Sequence, residues 1–541
     1  MLHALLLACS LGLAPASPSS PPPAADPCLS VASFRAGGAK ETGVALARAF
    51  VAACGRAQTV ALAQELIRIP TVSAREDSAT GPSFVAMADF LRSWARAHGL
   101  GFRVVGNNDA WEVTLGEGRR RLGFVVHADV VPEAETSVRG DALPEGWTHP
   151  PFVGTVDGAR LFGRGSEDDK GPLAATLVTL AALAGAAVAP DGQILAIIGT
   201  GEEQDWDGME RYAGTEPVPD NVVSVDAEFP VVVGEAGFVE WRLAAPVSPP
   251  KQRERAVIID ARGGEFLTQV PGEAHMTLAP AKLESAAQLL ARVRAAITAE
   301  ESARTTGGQR FRFSAEPDAA GANVVVHTYG ESVHSSVAER GQNALWPLAS
   351  LASRLKVESN GFGVILELVA KKLDNDPWGE KLGVGYSDPV MGKLLVAPTM
   401  LRLEEDQAVL GINMRRPAGM SSVDFSAKLD AALTRLRRDI GKSLVERGSR
   451  YVGEARLVDR ESPLVATLLD VYRTIAKDPQ AQPVTIRGGT YAKLFPGAVS
   501  FGPTAPGQPY RGHAADESIG LDELDRLTTM LVEVCVRLAG L

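Results

Sequence analysis

A chain of 541 residues is too long for one hydrophobic core, and at about 150 residues per domain it should divide into roughly three or four structural units. Hydrophobic residues at 45% and charged residues at 22% are ordinary for a globular protein, which excludes a disordered or fibrous chain. A net charge of -11 without any Lys/Arg-rich run has the wrong sign for neutralising phosphates, so nucleic acid is excluded as a partner.

The chain starts with an apolar run ending in Ala14-Pro15-Ala16, the small-x-small form of a signal-peptidase site. Residues 1–16 are therefore expected to be a signal peptide, and the mature protein to be exported to a periplasmic or extracellular space. Leu6-Leu7-Ala8-Cys9 also resembles the lipobox of bacterial lipoproteins, which leaves a lipid anchor through Cys9 open beside simple cleavage. Residues 17–54 read as a Ser/Pro-rich linker and N-terminal extension. No later stretch stays apolar for the roughly 18 residues a membrane span needs. Of the cysteines Cys9, Cys28, Cys54 and Cys535, none lies in a CxxC or Cys/His zinc spacing, so a metal site has to use histidine and carboxylates. Cys28 and Cys54 either pair, as an oxidising compartment allows, or stay two buried thiols.

From residue 82 to 100 apolar side chains recur at Phe84, Met87, Phe90, Leu91 and Trp94, the spacing of an amphipathic helix. Strands are expected over 110–115 and 122–126, then a helix opened by Pro172 and running to Leu183, then a strand over 194–198. Strands alternating with helices predict an α/β fold with a mainly parallel sheet, whose sites sit at the carboxyl ends of strands. After Gly237 the texture changes. Strand-like segments at 256–261, 322–327 and 407–413 are separated by helical ones at 280–297 and 422–436, which reads as an inserted α+β domain. A last amphipathic helix over 521–538 closes the chain. The expected organisation is a first catalytic segment at 55–236, an insertion at 237–450, and a second catalytic segment at 451–541.

The chemistry gathers in motifs at expected strand ends. In LGFVVHADVVPE, His127 and Asp129 share one face by their i,i+2 spacing, which suits a metal-binding histidine steered by a carboxylate. GRGSEDDKGP puts Asp168 and Asp169 at a helix start, where the dipole favours ionised carboxylates. GTGEEQDWDG carries Glu202 and Glu203, adjacent residues that project differently, so that one can bind metal while the other handles a proton. VDAEFPV adds Asp226, and PYRGHAADES adds His513 and Glu517. Singly, each has a plainer reading as a core histidine or a solvated acidic loop. All in order, and all at strand ends, they fit one metal site better than separate coincidences.

This set resembles the two-zinc amidohydrolase family that includes carboxypeptidase G, carnosinase and acetylornithine deacetylase, most closely its PepV-type bacterial dipeptidases, over about residues 55–541. The resemblance implies a zinc-peptidase catalytic domain with a large inserted lid and two Zn²⁺ per chain, Mn²⁺ or Co²⁺ being alternatives. His127, Asp168 and Asp226 would hold one ion and Asp168, Glu203 and His513 the other, with Asp168 as bridge. Glu202 matches the general base, Asp129 the residue that orients His127, and Asp168-Asp169 a cis peptide. In ESVHSSVAERGQNAL, His334 matches a lid histidine that stabilises the oxyanion. In NMRRP, Arg415 matches the residue that holds the substrate carboxylate, and Gly488, Gly489 and Thr490 match the loop closing over that end. The sequence departs from the family at Thr268, where an asparagine is common.

The resemblance implies a metallopeptidase hydrolysing dipeptides or very short peptides. The large lid implies a monomer that supplies His334 in cis. An N-acyl amino acid deacylase is the alternative within the family. A zinc-dependent peptide-binding protein without activity is the alternative outside it, and Glu202 beside a full ligand set argues against that.

Overall fold

The computed structural model of the protein describes residues 26–133, 143–248, 253–306, 308 and 311–541. The expected signal peptide, Cys9 and the spacer up to residue 25 lie outside the described residues.

The first half is built on a sheet whose centre is parallel. Strand Arg120–His127 pairs in parallel with Gln193–Gly199 on one side and Asn221–Ser224 on the other, and Val499–Ser500 continues the parallel run. Antiparallel strands Ala110–Gly116 and Gly101–Val105 finish one edge, and Val232–Glu235, Arg456–Leu457 and Val484–Ile486 lie at the other. The central strands are apolar on both faces because helices cover them. Helix Lys170–Gly185 is Ala/Leu-rich all round and buried nearly throughout, with Gly43–Ile67 and Leu521–Leu538 packed against it. Pro172 sits in its first turn, where no backbone donor is lost. The expected strands and helices at 110–126, 172–198 and 521–538 are all present.

At Gly237 the chain leaves this sheet for a second one. Strand Gly237–Pro246 pairs with Gln407–Arg416, which continues through Leu395–Glu404, Val257–Gly263, Glu273–Ala279, Val324–Tyr329 and Arg312–Pro317, every pairing antiparallel. Helices Ala286–Thr306, Leu345–Leu355, Gly361–Lys372 and Ser422–Asp439 accompany it. Each sheet has its own hydrophobic core, one around Leu173, Phe124 and Leu527, the other around Trp241, Phe362 and Leu410. The chain returns to the first sheet between Val452 and Arg456.

Two expectations need correction. A boundary at 54/55 falls inside Gly43–Ile67, a 25-residue helix whose Leu46, Phe50 and Val51 are buried in the first core, so the extension up to 54 is in part catalytic core. Helix 280–297 instead spans Ala286–Thr306. Ser285 and Gln288 cap its start reciprocally: Gln288 N–H donates to Ser285 Oγ (3.2 Å), and Ser285 N–H to Gln288 Oε1 (2.9 Å). Of the two readings for Cys28 and Cys54, the disulfide is the one formed, with a Cα–Cα distance of 5.3 Å; Cys535 is buried and free.

Candidate metal centre and active site

Strand register alone brings the first ligands together. His127 is paired with Gly199, and Val125 with Ser224. Three and four residues beyond Gly199 the chain reaches Glu202 and Glu203, and two beyond Ser224 it reaches Asp226, so with His127 all four side chains gather at the carboxyl edge of the parallel strands. Asp168 and Asp169, joined by a cis peptide, stand at the head of the buried helix facing the same edge. His127 Nε2 lies 2.7 Å from Asp168 Oδ1 and 3.7 Å from Asp226 Oδ2. His513 Nε2 lies 2.8 Å from Glu203 Oε1 and 3.2 Å from Asp168 Oδ2. Asp168 thus stands between the two histidines, one carboxylate oxygen facing each.

The electrostatics call for cations. Burial, then the charge of neighbouring carboxylates, raises Asp226 and Glu202 well above the ordinary carboxylate range and raises Asp169 and Glu203 with them. Burial would raise Asp168 too, but its bonds with His127 and His513 hold it well below. Both imidazoles are held well above their ordinary value: burial opposes this, but Asp129 and Asp168 act on His127, and Glu203 and Asp168 on His513. Ligand atoms of His127, Asp169 and Asp226, and of His127, Asp168 and Glu203, each lie within 4.8 Å of one another. Imidazole nitrogens with carboxylate oxygens suit Zn²⁺, and also Mn²⁺ or Co²⁺. The residues present fit such ions. Asp169, not expected as a ligand, belongs to one of these groups; its Oδ2 accepts the His127 N–H (3.0 Å), and its Oδ1 has no partner.

Asp129 does more than steer one histidine. His127 Nδ1 is 2.9 Å from its main-chain oxygen, whereas the nearer carboxylate oxygen is 3.5 Å away. The carboxylate is fully buried and instead accepts the backbone N–H groups of Glu202 and Glu203, both at 3.0 Å. That fixes the main chain of the two glutamates, whose side chains then part. Glu203 turns to His513, while Glu202 keeps Oε1 buried without a hydrogen-bond partner.

Glu517, named with His513 in the sequence, works with two groups that the sequence did not single out, Glu167 and Tyr510. Glu517, fully buried, accepts from Arg164 Nη1 (2.8 Å) and from the N–H groups of Gly165, Glu167 and Asp168 (2.9 to 3.1 Å). Glu167 reciprocates, accepting from Arg511 N–H (2.6 Å), Gly512 N–H (3.1 Å) and the Thr504 hydroxyl (2.8 Å). The loop of Asp168 and the loop of His513 hold each other. Tyr510 donates its hydroxyl to Asp168. Glu167 and Glu517 both stand in motifs read from the sequence, but their partners are some 350 residues away, which no local pattern reveals.

The insertion reaches the same cleft. His334 Nδ1 caps a short 3₁₀ turn, accepting the Ser336 N–H (3.3 Å) with the Ser336 hydroxyl 2.6 Å away. This leaves the proton on Nε2, the nitrogen free to face a substrate. Crowding in the cleft, with the charges of Arg415 and His513 beside it, pushes His334 down to about 3, so the ring is neutral. Thr268 takes part through its backbone, its carbonyl accepting the Ser335 N–H (2.7 Å). Arg415 is buried over the Phe238 ring and donates Nη2–H to Ser335 Oγ (2.9 Å), Nη1–H to the Arg487 carbonyl (3.3 Å) and Nε–H to Asn413 Oδ1 (3.2 Å). Of the expected loop, Gly488 is half-buried and Gly489 exposed, but Thr490 is turned inward. Its hydroxyl donates to buried Glu235 (2.9 Å) and accepts the Ala492 N–H, so Thr490 braces the loop and has no hydrogen left for a substrate.

The sequence profile of peptidase family M20/M25/M40 matches residues 123–537. The Beta-Ala-Xaa dipeptidase of Lactobacillus delbrueckii subsp. lactis is 30% identical over 441 residues, covering 81% of this chain and 86% of that protein. Among solved structures, human carnosine dipeptidase 1 has the same fold with a TM-score of 0.53 at 14% identity, covering 92% of this chain and 99% of that one. The di-peptidase Dug1p of Saccharomyces cerevisiae gives 0.53 at 12% identity, covering 92% and 98%. With the profile spanning most of the chain and a fold and ligand cluster to match, this protein belongs to the M20 peptidase family and is a metallopeptidase of that family.

Proposed function

We propose that the enzyme is a two-metal dipeptidase in which Glu202 is the general base. The observation that carries this reading is the split between neighbouring glutamates: Glu203 is engaged with His513, while Glu202 has a buried carboxylate oxygen with no partner. Held by His127, Asp168, Asp226, Glu203 and His513, two divalent cations would supply Lewis acidity and ease the deprotonation of water. Glu202 takes the proton of the attacking water and delivers it to the leaving amine. His334, neutral and protonated on Nε2, donates to the oxyanion. Arg415 fixes the carboxylate end of the substrate and the Gly488-Gly489 backbone closes over it.

Restriction to very short peptides follows from the lid, which presents Arg415 and His334 to the site from the same chain. That arrangement also supports a monomer, which sedimentation would test. Export is proposed from the apolar start and Ala14-Pro15-Ala16, and the Cys28–Cys54 disulfide supports it, since such bonds persist in oxidising compartments. Fractionation that found an intact Met1 in the cytosol would overturn it.

The deciding experiment is a panel of dipeptides, including ones with an N-terminal β-alanine as in the relative's name, assayed after chelation and re-addition of Zn²⁺, Mn²⁺ or Co²⁺. Hydrolysis of free dipeptides that is abolished when the amino group is acylated is the expected result. Preference for the N-acylated compounds would make the enzyme a deacylase instead, and binding without turnover would leave only a peptide-binding role.

A further inference from the structure

Arg415 sits at the end of strand Gln407–Arg416, and its three assigned contacts leave one N–H on each terminal nitrogen of the guanidinium. Two residues earlier on the same face stands Asn413, 1% exposed. Its Oδ1 accepts from Arg415 Nε, so the amide is oriented by the guanidinium. Its Nδ2 has no hydrogen-bond partner.

A buried amide nitrogen with no acceptor costs about as much as a lost hydrogen bond, so native structures rarely keep one without cause. The cross-strand neighbours offer no relief. Ala397 has no polar side chain, and Glu240 leans towards Arg242, 3.8 Å away. The face holding Asn413 and Arg415 is the one that meets Ser335 of the lid turn and the Arg487 carbonyl beside Gly488 and Gly489. An acceptor reaching this point from the cleft could take Nδ2 and the two remaining guanidinium hydrogens, since the neighbouring acceptors already hold Arg415.

We propose that Asn413 is a specificity residue whose side-chain amide donates to the substrate's terminal carboxylate beside Arg415, so that the carboxylate is bound by an Asn-Arg pair rather than by a single arginine. The inference rests on the dipeptidase reading. Asn413 Oδ1 fixes the guanidinium through Nε, leaving its outer edge for one carboxylate oxygen or both, while Nδ2 takes a second lone pair. A neutral donor at this point also avoids a second buried cation, which a substrate-free site would have to tolerate.

The test uses matched dipeptides with a free or an amidated C-terminus, and kcat and KM measured separately for Asn413→Ala, Asn413→Asp and Arg415→Ala. Asn413→Ala should raise KM for the free acids at least roughly tenfold, the loss expected for a hydrogen bond to a charged group, with kcat and the amides changing little. Asn413→Asp keeps the shape but places a carboxylate against the incoming one. It should raise KM for the free acids further and narrow or invert their preference over the amides, and it carries the test if the alanine variant does not fold. Equal changes for acids and amides in the Asn413 variants, with Arg415→Ala separating the two, would overturn the role of Asn413 alone. If Arg415→Ala also fails to separate them, the assignment of the carboxylate end falls, and the Asn413 proposal with it.

Discussion

Glu202 and Glu203 differ by one position and by nothing in chemistry; what separates them is where each carboxylate lands once Asp129 has fixed their amides. Glu202→Gln keeps the shape and removes the base, so zinc content should be unchanged while kcat falls by roughly 10² to 10⁴. Glu203→Gln replaces an anionic ligand with a weaker neutral one, so metal should be lost first and activity should partly return in excess zinc. Metal analysis with steady-state kinetics reads both, and zinc loss in the Glu202 variant with retention in the Glu203 variant would reverse the assignment. The clamp makes a separate prediction. Glu517→Gln leaves buried Arg164 without its charge partner, and breaking such a pair costs roughly 3 to 5 kcal/mol. Denaturation should show a large loss of stability and dialysis a weakened metal affinity; a variant as stable as the parent would dismiss the clamp.

At the scale of elements, sequence periodicity located the strands and helices, and the helix expected at 280–297 begins at Ala286 because the Ser285–Gln288 pair caps it there. Ser285→Ala should cost about 1 kcal/mol, the ordinary value of an N-cap. The closure of insertion on catalytic half is carried by contacts with no local signature. Arg487, in the segment before Gly488, pairs with Glu339 of the lid turn at 2.5 Å and lies 6.0 Å over Trp378. Arg487→Ala should loosen this contact and raise KM for all dipeptides alike, free or amidated, because it acts on lid position rather than on a substrate group. A KM rise confined to free acids would instead place Arg487 in the carboxylate site.

Among the described residues the two largest cores belong to the two sheets, which are joined where the chain crosses near Ala236 and again near residues 452–456. The N-terminal extension is stapled to the first core by Cys28–Cys54, which closes a loop with a sequence separation of 26. Closing a loop of that size contributes about 3 kcal/mol in the chain-entropy account. Reductant should lower the unfolding midpoint of the parent and leave that of a Cys28→Ser/Cys54→Ser variant unmoved. An identical response in both would show that the bond adds nothing.

The candidate ligands His127, Asp168, Glu203 and Asp226 were legible because local apolar runs mark the strand and helix ends where they stand, whereas His513 lies in a turn and was singled out by its motif, the ligand roles of all five coming from the family resemblance. The sequence by itself also determined the change of architecture at Gly237, since the patterning there shifts within a few residues. Other features depend on partners far along the chain and were decided only by tertiary structure. Thr490 faces Glu235 rather than the cleft because buried Glu235, 255 positions earlier, needs donors. Asp129, expected to orient His127, instead spends its carboxylate on the amides of Glu202 and Glu203. Glu167 and Glu517 lock together two loops some 350 residues apart. A side chain's type restricts what it can bind, but which partner it meets is set by where the sheets bring the chain back, and no local pattern records that.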